Sequence, residues 1–170
     1  CHYALDRSLH GDINRQEKRT GITHAEIETE LERRLLMREN MRPLHSNLTC
    51  HLRNTKQTRM AASRIFHEDM GIISECITSY RTMNRLFINS KEPTKKLVCM
   101  ILKLTGNYGT IHGMLMRREP HHDDTAMTDY LEQKFFETVP YGAKLADGLY
   151  RYLAGTGPLP EEFNGNFNGD

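Results

Sequence analysis

Residues 121–124, His-His-Asp-Asp, place imidazole and carboxylate side chains next to one another. Both groups are suitable donors for a divalent metal, and His112 is a further candidate ligand. Adjacent residues seldom converge on one ion, however, and an aspartate just before a helix is the ordinary N-cap. We therefore predict helix capping at Asp124, with no metal and no other cofactor.

No catalytic motif accompanies these residues. His67-Glu68 lacks the second histidine of a zinc-protease pair, and the one Glu-x-x-His spacing, Glu119 to His122, contains a proline. The sequence has no Gly-x-Ser-x-Gly, P-loop, Cys-x-x-Cys or haem-attachment motif. The glycines of residues 105–113 follow no strand, so they do not form a nucleotide-binding loop. We predict that the protein is not an enzyme.

Asn47-Leu48-Thr49 is an N-glycosylation sequon directly before Cys50. It lies in a polar loop after Pro43 and away from any apolar stripe, where a glycan would be accessible. We predict that Asn47 is glycosylated, which requires passage through a secretory compartment. The alternative is an unused sequon in an intracellular protein.

The four cysteines allow three pairings if all are bonded. On two predicted helices joined by a short break, Cys76 lies about 18 Å from the turn and Cys99 about 9 Å, too far apart for a disulfide. Cys76 adjoins the apolar position Ile77, so we interpret it as a small buried residue. Cys50 is predicted at the far end of the second helix. Only Cys1, on the N-terminal arm, is free enough to reach another cysteine and form a disulfide. The candidates for an intrachain disulfide are therefore Cys1, Cys50 and Cys99. The alternative is that a cysteine forms a disulfide with a partner chain.

Helical periodicity begins weakly at the N-terminus. Residues 1–21 are predicted to be an irregular arm with a short helix interrupted by Gly11. Thr23 and Glu26 then form a capping box, which predicts a helix over residues 24–41.

An apolar stripe from Ala62 to Phe87 recurs in steps of three and four and includes Ile73 and Tyr80. It predicts one long helix of about 34 residues, bent at most at Gly71. Ile73 lies in the middle of the stripe and is expected to be buried.

A third stripe runs from Leu97 to Leu115, after Pro93 in the first turn. We interpret it as one long helix, with a break at Gly106 as the alternative. Ile101 is expected to be buried in its middle.

The last periodic segment begins with a helix over 126–138, is kinked or restarted at Pro140, and stops at Gly155. Strand-like alternation is absent from the sequence. The predicted fold is all-α, an antiparallel bundle of four main helices with an irregular N-terminal arm and a disordered C-terminal tail. Residues 1–154 form the predicted domain, and residues 155–170 the flexible tail.

Composition restricts the classes of partner. Lysine and arginine (23) nearly balance aspartate and glutamate (22), which argues against a nucleic-acid scaffold. No apolar run approaches the roughly 20 residues that span a bilayer, so we expect no membrane insertion.

Three short stretches resemble the long-chain four-helix cytokines, in particular the alpha chain of interleukin-12. They are HGDI (10–13), SRIFHED (63–69) and YRTMNRLF (80–87). The resemblance implies a secreted, glycosylated signalling protein that binds a receptor without catalysis. The alternative is an intracellular or viral helical interaction or structural module with reduced cysteines.

A receptor ligand of this kind would use exposed helix faces, where aromatic and arginine side chains are the favoured anchors. The predicted contact residues are Tyr150 and Arg151 on the last helix, with Arg81 and Arg85 on the second. The alternative is that Tyr150 covers the edge of the bundle and the arginines are solvated. The predicted partner is a protein receptor or a partner chain, which includes a disulfide-linked or non-covalent oligomer.

Overall fold

The chain folds into helices joined by short turns. The computed structural model describes residues 2–165, apart from the side chain of Thr110, and no strand occurs among these residues, so the all-α class is confirmed. The α-helices are α1 (His2–Thr20), α2 (His24–Arg38), α3 (Lys56–Phe66), α4 (Met70–Asn89), α5 (Glu92–Leu104), α6 (Tyr108–Ile111) and α7 (Thr125–Leu153). Short 3-10 helices lie at Pro43–His45, His112–Met114 and Glu161–Asn164. None of the described helices has the length and apolar character that a membrane span requires.

The chain divides into two compact units. Unit 1 extends to Leu35 and resumes at Pro120, so it contains α1, most of α2 and α7. Unit 2 is Leu36–Glu119 and contains α3 to α6. The single domain expected over residues 1–154 stays a prediction.

Unit 1 is held together by an apolar core that α1, α2 and α7 share. Its buried members are Leu9, Ile13, Ile27, Leu31, Met127 and Leu131. The irregular N-terminal arm predicted from the sequence is wrong, because α1 continues through Gly11 without a break. Burial of Leu9 and Ile13 outweighs the roughly 1 kcal/mol by which a glycine disfavours a helix interior.

The start of α2 confirms the capping box. The Thr23 backbone N–H donates to the Glu26 carboxylate at 3.0 Å, and the Glu26 N–H lies 3.4 Å from the Thr23 hydroxyl. The helix ends at Arg38, before the predicted residue 41. Asn40 adopts a left-handed conformation there, and the Met41 N–H returns to the Leu36 carbonyl at 2.8 Å, a common way to satisfy the last carbonyls of a helix.

The two long helices predicted for the middle of the chain are each broken. His67 has φ 55° and ends α3, and Asp69 caps α4 by accepting from the Gly71 N–H at 2.6 Å. The prediction of one continuous helix with a bend at Gly71 is therefore wrong. Gly106, with φ +73°, ends the next helical segment just after Leu104. The break at Gly106, which was the alternative prediction, is confirmed. The prediction of a single long helix is wrong.

Both ends of the last helix, α7, lie where the sequence predicted them. Asp124 accepts from the Met127 N–H at 2.9 Å, as predicted for an N-cap, and Gly155 follows the helix with φ +70°. The helix continues through Pro140 and does not restart there.

Part of the segment expected to be a disordered tail contacts α1 and α7 within unit 1. The Phe163 ring stacks on Tyr3 of α1 with 5.3 Å between centroids. Pro160 lies so close to Gly148 of α7 that a Cβ there would be 2.5 Å from the proline Cγ. The absence of a side chain at Gly148 therefore permits this contact.

Unit 2 has a smaller core, composed of Leu36, Ile88 and Met116 with Leu44 and Leu48 packed against it. The loop before α3 is tied to α4 by the Asn89 side-chain amide, which donates to the backbone carbonyls of Leu44 and Ser46, each at 3.1 Å. Ile73, also on α4, is buried as predicted.

A buried charge joins α1 to α7 within unit 1. The Asp12 carboxylate accepts hydrogen bonds from the Lys134 ammonium, from the Tyr130 hydroxyl at 3.1 Å, and from Arg15. Burial alone would raise the pKa of Asp12, but these hydrogen bonds outweigh it and hold the pKa below its ordinary value. The same bond to Asp12 raises the pKa of Lys134.

We predict that Asp12→Ala lowers the free energy of unfolding by about 1.5–3 kcal/mol at pH 7, the range for hydrogen bonds to a charged group. Because the folded-state pKa is depressed, the carboxylate stabilises the fold fully above the ordinary aspartate pKa of about 3.9. That contribution is lost as the pH falls through the folded-state pKa. Urea unfolding at pH 7 and at progressively lower pH should show the difference between wild type and Asp12→Ala shrinking. Asp123→Ala, at an exposed aspartate, is the control, and an equal loss in both variants at pH 7 would contradict the assignment.

Candidate functional site

The α5 helix carries apolar side chains on two sides. Its sequence, EPTKKLVCMILKL, begins after Lys91, with Pro93 in the first turn. One row consists of Lys95, Val98, Cys99 and Leu102, and the other of Leu97, Met100, Ile101 and Leu104. Each row follows the i, i+3, i+4, i+7 spacing of one helix face. The rows are offset by two residues, which places them about 200° apart around the helix.

Lys95 fixes which row faces the interior of unit 2. Its side chain is only 4% exposed, and the ammonium donates to the backbone carbonyls of Ile88, at 3.2 Å, and Met116. Burial lowers the pKa of Lys95, as expected where the charged form loses its hydration. A buried ammonium is tolerated only when it is hydrogen-bonded, so these carbonyls hold α5 in one rotational setting.

The second row consequently faces solvent. We call Leu97, Met100, Ile101 and Leu104 the α5 stripe; their exposed fractions are 50%, 53%, 48% and 81%. The sequence-based expectation that Ile101 is buried is wrong. The helical spacing of the apolar residues was predicted correctly. The hydrogen bonds of Lys95, however, place the opposite face of α5 inside unit 2.

Basic side chains flank the α5 stripe. Lys96 and Lys103 are exposed on the same helix, and Lys103 lies 4.7 Å above the Tyr108 ring. Beside them is a cavity of about 430 Å³ lined by Lys95, Lys96, Cys99, Met100, Lys103, Leu115 and Arg117. The apolar stripe therefore has a positively charged margin.

The predicted contact residues on the last helix are accessible. Tyr150 is 72% exposed, and Arg151 is exposed and paired with Asp147 at 2.7 Å. Tyr152 and Leu153 are exposed as well. The reason is that α7 extends beyond its last buried apolar residue, Leu145.

The predicted contact residues on the second helix belong to unit 2, whereas Tyr150 belongs to unit 1. Arg85 is exposed and Arg81 is partly buried, both on α4. Their role as contacts stays a prediction.

The sequon is accessible at its asparagine. Asn47 is exposed, and its side-chain carbonyl accepts from the Thr49 hydroxyl at 3.1 Å and from the Thr49 backbone N–H at 3.3 Å. Both bonds use the carbonyl oxygen and none uses the amide nitrogen to which a glycan is attached. Glycosylation of Asn47 stays a prediction.

The cysteines that the structure describes are free thiols. Cys50 and Cys76 are exposed, and Cys99 is partly buried beside the basic cavity. The interpretation of Cys76 as a small buried residue is wrong, because its side chain is exposed even though Ile73, one turn earlier on α4, is buried. Cys1, the remaining disulfide candidate, lies outside the described residues.

The His-His-Asp-Asp segment acts as helix-capping structure. Asp124 caps α7, and the backbone N–H of His121 donates to the Glu30 carboxylate at 3.2 Å. Across residues 2–165, side chains that converge as metal ligands do occur elsewhere, at His10, His24 and Glu28. The sequence analysis missed this group. The sequence does contain a signal for it. Asp6 and His10 on α1, and His24 and Glu28 on α2, are each four residues apart.

No family model, curated protein or solved structure matches this chain. Function must therefore be inferred from the chain's own residues, among which the α5 stripe is a row of exposed apolar side chains.

We predict that Ile73→Ala and Ile101→Ala, which remove the same atoms, have unequal effects. Ile73 is 8% exposed, whereas Ile101 is 48% exposed. Truncating the buried side chain should cost about 2–4 kcal/mol of unfolding free energy, and truncating the exposed one less than about 0.5 kcal/mol. Denaturant unfolding followed by circular dichroism measures both. Equal losses would show that the stripe is covered within the isolated chain.

Proposed function

We propose that this chain is a non-catalytic helical protein that acts by binding a protein receptor or partner chain, and that α5 supplies the central contact. The observation that carries the proposal is the α5 stripe, four large apolar side chains in one row that are each about half exposed or more.

The physical basis is that α5 is apolar on two opposite sides and covered on one. A helix that is apolar around most of its circumference is normally surrounded by other elements. Apolar residues at i, i+3, i+4 and i+7 are also the anchors that a helix places in a groove on a partner. Covering the stripe would remove about 25 cal/mol of unfavourable hydration per Å² of apolar surface.

The charges beside the stripe define the chemistry of the partner. Lys96 and Lys103 are exposed on α5 itself. A complementary surface would be an apolar groove with acidic residues on its rim, because opposite charges at the margin of an interface speed association and exclude wrong partners. The partner is therefore a protein and not an anionic polymer, since the central contact is apolar.

The setting we propose is extracellular, as for a cytokine-like signal. The exposed Asn47 supports this setting, because its side chain is accessible for glycan attachment. Tyr150 and Arg151, together with Arg81 and Arg85, are proposed as additional receptor contacts. The antiparallel four-helix bundle of such signalling proteins is part of the same proposal.

The alternative setting is inside a cell, where the exposed thiols of Cys50 and Cys76 would stay reduced. The same stripe would then bind an intracellular partner. Intact mass of the natively expressed protein, with and without deglycosylation and thiol alkylation, distinguishes the settings. A glycan on Asn47 supports the extracellular setting, and free thiols without a glycan support the intracellular one.

We predict that Met100→Asp/Leu104→Asp abolishes partner binding while the melting temperature stays within a few degrees of wild type. Both side chains are exposed, so the substitutions place charge in the contact without disturbing the core. Labelled protein is applied to an array of receptor ectodomains, and titration measures the affinity for each one that binds. The expected loss of affinity is at least about 30-fold, or about 2 kcal/mol.

The control is Val139→Asp, which puts one such charge at an exposed apolar residue of α7. A second arm, Tyr150→Ala/Arg151→Glu, tests the last helix. Equal binding by wild type and the α5 variant would remove α5 from the contact, and a loss confined to the second arm would transfer the site to α7. The absence of any saturable ectodomain binding would reject the extracellular proposal.

A further inference from the structure

The side chains of α1 and α2 that face away from the core of unit 1 include a compact group of histidines and carboxylates. A short turn at Gly21, with φ +73°, joins the two helices. Contacts pair His10 with Glu28 and Asn14 with His24, so the helices run in opposite directions from the turn. Histidine and acid recur four residues apart on both helices, as Asp6 and His10 and as His24 and Glu28, which places each pair on one face.

The ligand atoms of this group converge on one point. His24 Nε2 lies 3.1 Å from Glu28 Oε1, and His10 Nε2 lies 3.7 Å from the same oxygen. The two imidazole rings meet edge to face with 4.9 Å between centroids. One atom from each of the three residues lies within 4.8 Å of the others. A tetrahedral zinc ion with bonds of about 2.0–2.2 Å would separate its ligand atoms by about 3.4 Å, between the two separations found here.

Asn14 determines which nitrogen of His24 faces the group. The Asn14 side-chain oxygen lies 3.1 Å from His24 Nδ1, and since that oxygen can only accept, the tautomer that makes this hydrogen bond carries its hydrogen on Nδ1. In the neutral imidazole, Nε2 then presents its lone pair toward the Glu28 carboxylate. A proton on Nε2 or a metal ion between the two atoms would remove the repulsion of their lone pairs, and metal-binding histidines have this arrangement of an outer acceptor on the remote nitrogen.

Asp6 extends the group on the α1 side. One of its oxygens is 3.6 Å from His10 Nε2, and the other is 3.1 Å from His2 Nε2. The side chains of His10 and His24 are about 28–29% exposed, so the ring nitrogens are shielded but open to an entering ion. An apolar groove of about 240 Å³ begins at the same place, with Leu5, Leu9, Leu35 and Phe135 among its lining residues.

We propose that His10, His24 and Glu28 bind a divalent transition metal, with zinc as the expected ion, and that the fourth coordination position faces Asp6. The alternative, a network of ion pairs alone, requires a protonated histidine. The two imidazole nitrogens are borderline-soft donors, which favour zinc over magnesium or calcium, since those ions prefer oxygen ligands. Binding joins α1 to α2 and stabilises unit 1, because the metal binds the folded chain and not the unfolded one. This site is separate from the α5 stripe and does not depend on the proposed partner.

The test is titration of tag-free protein with Zn²⁺ by calorimetry and with Co²⁺ by visible absorption. We expect one ion per chain, ligand-field bands of tetrahedral cobalt, and a higher melting temperature with zinc. His24→Gln and Glu28→Gln should each weaken zinc binding by about 10–100-fold or more and remove the thermal shift. Asn14→Ala should weaken binding by about tenfold as an outer partner, whereas Asn14→Asp, which keeps the acceptor, should retain it.

The control is His51→Gln, which removes an exposed histidine from unit 2 and should leave binding unchanged. Circular dichroism without metal establishes that each variant is folded. Intense sulfur-to-cobalt charge-transfer bands, or binding lost on thiol alkylation, would assign the ion to cysteines and overturn the proposal. Binding that survives both His24→Gln and Glu28→Gln would overturn it as well, and so would the absence of a saturable site.

Discussion

Residues with positive φ follow the ends of five of the seven α-helices that the structure describes, and the packing of both units depends on those endings. Such a residue satisfies the last carbonyls of a helix and reverses the chain direction. Glycine adopts this conformation at little cost, whereas asparagine and histidine do so less readily. The residues concerned are Gly21, Asn40, His67, Gly106 and Gly155. Without the turns at His67 and Gly106, the middle of the chain would consist of two long helices with continuous apolar stripes.

Because the turn at Gly106 ends α5 after Leu104, α5 is a short helix. One buried ammonium then determines its orientation. Lys95 binds carbonyls at the end of α4 and in the segment after α6, so the face that carries it lies inside unit 2. Hydrogen bonds to a buried charge have strict geometric requirements, whereas apolar contacts are adaptable. The apolar row on the opposite face is therefore left in solvent. An interaction that stabilises the isolated unit thus also creates the surface that we assign to a partner.

In unit 1, α1 and α2 contribute side chains to the core and also carry the group of His10, His24 and Glu28. The i, i+4 spacing that brings Leu9 and Ile13 into the core also aligns Asp6 with His10 on another side of α1. The core that α1 and α2 share with α7 places the two helices side by side. The ion pair between the buried Asp12 and the partly exposed Lys134 reinforces that setting, since it joins α1 to α7.

The sequence by itself determined the helical class and several helix ends. The capping box of Thr23 and Glu26, the Asp124 cap and the Gly155 stop are local interactions within a few residues, so residue type and spacing suffice to predict them. Periodicity also identified the apolar stripe of Ile101, but it does not say whether another element covers a stripe. Only the tertiary structure decided that, because the contacts responsible are distant in sequence, as between Lys95 and Met116. The convergence of His10 with Glu28 was decided in the same way, since it requires α1 to be continuous through Gly11 and to pack against α2.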